Sequence, residues 1–111
     1  MGLPALFGKI IGNYRRHAWQ LRRVLLREET RAILEEDDEV IFKDATIEGA
    51  EIDALWFARP SQAGREAWEL RLVTETPYAL FETFEADEAD EDREDVRREM
   101  EARMREYAGR S

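Results

Sequence analysis

The sequence predicts an α+β domain of order α-β-β-β-β-α: an N-terminal amphipathic helix, a four-stranded antiparallel meander and a C-terminal helix. Three observations predict it. Apolar residues recur at helical spacing across 4–36, β-rich runs separated by short turns fill 39–84, and residues 87–108 carry acids in their first turns and arginines later. A chain of 111 residues accommodates one such unit, so residues 1–111 read as a single domain.

The first helix opens on Pro4, whose missing N–H costs nothing in a first turn. Phe7, Ile11, Tyr14, Ala18, Leu21, Leu25 and Ala32 then fall on one stripe at roughly 100° per residue. Lys9, Arg15, Arg16, Arg22, Arg23 and Arg27 occupy the opposite arc. Asn13, after Gly12, has the chemistry to cap a fresh helix at Tyr14, which leaves both one helix and two open. Asp37 and Asp38 end the pattern.

The strands follow in turn. Val40–Ile47 is β-rich, and Glu48-Gly49-Ala50 reads as a tight turn. Ile52–Ala58 is the second run, closed by a loop over 59–65. Trp68, Leu70 and Leu72 alternate with Glu69 and Arg71, the pattern of a half-buried strand. Pro77 marks a turn before Tyr78–Phe84. Three short connections favour antiparallel pairing throughout. Ile52, Ala54 and Trp56 share one face; Leu55 and Phe57 share the other, with Val73 and Phe81. Two packings satisfy this pattern. Both helices on one face leave Leu55, Phe57 and Phe81 as an apolar docking patch, whereas one helix per face buries them.

The last helix has favourably ordered pairs, Glu94–Arg98, Glu99–Arg103 and Glu101–Arg105. Its apolar stripe is narrow: Ala89, Val96, Met100, Met104 and Tyr107, with Gly109 as a stop.

Composition excludes several functions. With no cysteine there is no disulfide framework, thiolate metal site or thiol nucleophile. His17 is the single histidine, and the glycines form no phosphate-cradling motif. No catalytic, cofactor-binding or metal-ligating residue is therefore assigned, and the chain reads as a non-enzyme with no cofactor. No apolar run approaches the ~20 residues that span a bilayer, and a cytoplasmic protein is expected. The net charge of −9 disfavours nucleic acid and anionic membrane surfaces as partners.

That charge is unevenly spread. Residues 1–27 hold six of the 17 basic residues and none of the 26 acids. Trp19 and Leu26 project within the arginine arc of the expected helix, beside Arg15, Arg22 and Arg23, an anchor-and-rim composition suited to a protein interface. With Leu55 and Phe57 they form the expected partner-binding set. The expected function is thus a protein-interaction module, a small subunit or adaptor of a larger assembly, whose partner is its own copy or another protein. A second reading makes it an acidic inhibitor or immunity-type protein. It would mimic nucleic acid with Asp87, Glu88, Glu91, Asp92 and Asp95 against a basic target. A third arrangement, in which the basic segment lies on the protein's own acidic remainder, competes with both.

Overall fold

The structure, a computed structural model, describes residues 2–35 and 37–110, with the backbone alone at residues 38 and 39. Met1, Glu36 (the expected end of the first helix) and Ser111 lie outside the described residues. The elements run α1 (Leu3–Arg16), β1 (Gln20–Leu26), α2 (Glu28–Leu34), α3 (Asp38–Ile41), β2 (Thr46–Gly49), β3 (Ala54–Pro60), β4 (Glu66–Leu72), β5 (Ala79–Phe84) and α4 (Asp90–Arg110). A 3-10 turn over Gln62–Gly64 links β3 to β4.

The class is α+β as expected, but the expected helix over 4–36 is three elements. α1 stops at Arg16, and Ala18 turns the chain in the left-handed region at φ 66°. Residues 20–26 then run extended as β1. The physical reason lies in burial on both sides. Val24 and Leu26 face α1, Leu25 faces α4, and all three are buried. A strand covered on both faces reads as an unbroken apolar run, and such a run fits a helical stripe equally well. The next expectation also shifts. Val40 and Ile41 belong to the short turn α3, and β2 begins only at Thr46, so Glu48 and Gly49 are strand residues.

The sheet has five strands in the order β2-β1-β3-β4-β5, not four. Its β3–β4–β5 portion is the expected antiparallel meander, with Ala54 opposite Leu72 and Glu66 opposite Phe84. The β1–β2 pair is parallel, Arg23 opposite Thr46 and Leu26 opposite Gly49, which corrects the all-antiparallel expectation. Parallel neighbours need a crossover, and α2 and α3 supply it.

One helix covers each face. On the first, Phe7, Ile10 and Ile11 of α1 pack on Leu21, Val24, Leu55 and Phe57, with Phe42 set edge-on to Phe7 at 5.3 Å. On the second, Met100 and Met104 of α4 pack on Ala54, Trp56, Leu70 and Phe84. Leu55 and Phe57 are fully buried, so the exposed patch expected there does not form; Phe81, at the outer strand, is 56% exposed. Among the described residues no helix is long and apolar enough to cross a membrane.

Candidate functional site

A local irregularity in β1 aims its arginines. Pairing with β3 puts Leu21 opposite Phe57 but Arg23 opposite Trp56, a register shift that makes Arg22 the extra residue. Such a bulge reverses the alternation. Leu21 therefore faces α1, whereas Arg23 crosses to the α4 side and meets Glu94.

The Arg23–Glu94 pair is bidentate, at 3.1 and 2.9 Å, the geometry in which a guanidinium best matches a carboxylate. Arg97 Nε donates to the same carboxylate at 3.0 Å. The buried Arg97 guanidinium lies 4.4 Å from the centre of the Trp68 ring and 5.5 Å from that of Phe84. Arg93 Nη2 donates to the Glu85 carbonyl at 2.6 Å, and its Nη1 is 3.6 Å from Glu66. Arg22, Arg23, Arg93 and Arg97 together line a shallow hollow of about 400 Å³ with Trp68, Glu66 and Asp90. The hydrogen bond from Arg23, then that from Arg97, holds Glu94 down to about 2 against its ordinary 4.5, and burial opposes the shift only in part. The same bond raises Arg23.

A pH dependence follows. A carboxylate whose folded pKa is depressed stabilises the fold above its unfolded value and loses that contribution as pH falls through the folded one. The protein is expected to weaken between about pH 4.5 and 2. Glu94→Gln is expected to remove that part of the slope, read as urea midpoints across the interval.

The expected partner-binding residues do not form one surface. Trp19 is 9% exposed, packed edge-on to Tyr14 at 6.1 Å and Phe81 at 6.4 Å, with Arg59 4.4 Å over its ring. Leu26 is buried, and Phe57 stacks under Tyr14 at 3.9 Å, with Leu55 buried in the same layer. Arg23 is tied to Glu94, and Arg27, outside that set, is tied to Asp53. Of the set, Arg15 and Arg22 are exposed. The anchor-and-rim arrangement is thus corrected: its anchors are core residues, because the segment that carries them is a central strand rather than a two-sided helix.

The acids of the second reading lie differently. Asp87, Glu91 and Asp92 are exposed, and among the described residues no cation comes within ion-pair distance of them. Glu88 accepts the Glu85 N–H at 2.9 Å, and Asp95 meets Arg98 at 3.4 Å in an exposed i,i+3 pair. His17 caps α1 at the surface with Nδ1 2.9 Å from the Asn13 carbonyl. Among the described residues no cluster of histidine and carboxylate is arranged to hold a metal ion.

Sequence reasoning missed the Arg97–Trp68 stack. One signal for it existed: Arg97 sits at the i−3 and i−7 positions of Met100 and Met104, inside the apolar stripe of α4. The Glu94–Arg23 contact, 71 residues apart in sequence, left no local trace. No family model, curated protein or solved structure matches the chain.

Proposed function

We propose that this chain is a non-catalytic protein-interaction domain that presents the acidic start of α4, with the turn before it, to a basic partner. The observation that carries the reading is the concentration of uncompensated acid where α4 begins. Asp87, Glu91 and Asp92 are exposed and have no internal counter-ion among the described residues, whereas the basic segment is divided: Arg23 and Arg27 are engaged by the protein's own carboxylates, and Lys9, Arg15, Arg16 and Arg22 are not. Their setting is stiff as well as charged. Met100 and Met104 bury the inner side of α4, and the Arg23–Glu94–Arg97 cluster pins its first half to the sheet. Unpaired carboxylates held by a packed helix, as Glu91 and Asp92 are with Asp87 in the turn just before them, lose little entropy on docking and steer a basic surface by long-range attraction. A partner groove that otherwise holds a phosphate backbone has the matching chemistry. Arg15 on α1 and Arg22 on β1 remain exposed but share no surface, and the apolar anchors expected beside them lie in the core. The reading places the protein in the cytoplasm as a small subunit or inhibitor.

The test is paired neutralisation in affinity capture from the native host. Asp87→Asn, Glu91→Gln and Asp92→Asn together are expected to abolish recovery of the partner, and Arg15→Gln with Arg22→Gln to leave it intact. The wild-type complex should also dissociate as salt is raised, because exposed charges are screened within about 10 Å at 0.1 M ionic strength. Loss of the partner from the arginine variant alone would reject the reading.

A further inference from the structure

We propose that the cleft between α1 and the β4–β5 turn is a binding site for a small organic anion with an apolar body, its head group seated on Arg71. The cleft has a volume of about 680 Å³, within the roughly 300–1,000 Å³ typical of ligand sites. It lies on the α1 face of the sheet, and its lining includes no residue of α4, so the inference stands apart from the docking reading above.

The floor carries the argument. Arg71 is 9% exposed, on the face of β4 that α1 covers. Its Nη1 donates to the carbonyl of the adjacent Leu72, and among the described residues no carboxylate lies within ion-pair distance of it. A buried cation without an ion-pair partner is costly, and an anion brought into contact with it relieves that cost. Glu69, two residues earlier on the same strand, keeps its charge but turns it to the Tyr14 hydroxyl; it makes no ion pair with Arg71 and does not line the cleft. Burial, then the bond to Glu69, pushes the Tyr14 phenol above its ordinary range, so Tyr14 stays neutral and contributes no negative charge.

The walls define the rest of the ligand. Leu6, Ile10 and Pro77 give an apolar side, and Lys9 and Arg16 put two exposed cations at the rim against one acid, Glu75. A cationic floor, an apolar wall and a basic rim together select an amphiphilic anion, such as a carboxylate or a phosphate monoester on a short hydrocarbon chain. A neutral molecule of the same shape forgoes the charge-assisted hydrogen bonds, and a bare anion forgoes the apolar wall.

Titration calorimetry on the full chain tests this with octanoate, octyl phosphate, 1-octanol and acetate. Octanoate or octyl phosphate is expected to bind at one site per chain, and whichever binds tighter identifies the head group. Octanol is expected to bind about tenfold more weakly or worse, as a lost charge-assisted bond implies, and acetate not measurably. Arg71→Met should bring the anion's affinity down to that of octanol and leave octanol unchanged. Leu6→Trp, which narrows the cleft without touching the arginine, should block both. The triple variant at Asp87, Glu91 and Asp92 should bind octanoate as the wild type does, which separates failure here from failure of the docking reading. Equal affinity for octanoate and octanol, undiminished binding by folded Leu6→Trp, or no binding of either anion overturns the proposal.

Discussion

Trp56→Ala is expected to cost about 3–5 kcal/mol of folding stability, the range for truncating a large aromatic in a packed core. Trp56 lies on β3, between β1 and β4, fully buried under α4. Its ring meets Trp68 edge-on at 5.8 Å, and its Nε1 donates to Glu101 Oε2 at 2.8 Å. Truncation opens a cavity where sheet and helix join and removes the donor from a partly buried carboxylate. Urea unfolding checks it: the midpoint should fall with the slope unchanged. Trp56→Phe keeps most of the packing and should cost clearly less. A loss below about 1 kcal/mol for the alanine variant would mean that α4 does not bury this face of the sheet.

Trp19→Ala should come next, at about 3 kcal/mol. Were the ring a surface anchor, the substitution would weaken partner capture and leave stability nearly unchanged. Its place in the interior predicts the reverse. Trp19 fills the corner where α1 turns into β1, against Tyr14 and Phe81 and beneath the Arg59 guanidinium. Arg59 also donates to the His17 carbonyl at 2.8 Å, so part of the corner survives the loss of the ring. Thermal melts should show the destabilisation, and capture well below the melting temperature should proceed as for the wild type.

The two tryptophans also mark where sequence patterning is informative. Around Trp56 the local signals agree. Residues 54–57 alternate between the two faces, Trp68, Leu70 and Leu72 alternate with charged residues on β4, and α4 has a dipole-matched charge order. The β3–β4–β5 meander and the C-terminal helix are legible for that reason. Around Trp19 the signals conflict. β1 is apolar on both faces, its alternation is reset by the bulge at Arg22, and the turn before it uses Ala18 at positive φ, where a glycine or asparagine would have announced it. Its parallel neighbour β2 pairs across a 19-residue crossover that no local pattern encodes.

The candidate sites divide along the same line. The free acids around the start of α4 are readable because a run of charge at a helix start is a local property. Glu69 and Arg71 read as the solvent-facing half of a strand, yet α1 covers that face: Glu69 accepts the Tyr14 hydroxyl, and Arg71 becomes the floor of a cleft. The strand's own residues are the same in either case; only the packing of an element 53 or more residues earlier distinguishes them.

Zero-length carbodiimide cross-linking of the captured complex addresses the docking face most directly, since it joins carboxylates only to amines in contact. The expected bonds run from Asp87, Glu91 and Asp92 to lysines of the partner. Bonds confined to Lys9 on α1, joined to acids of the partner, would show that the basic end makes the contact and that the carboxylates around the start of α4 serve only as a solvated surface.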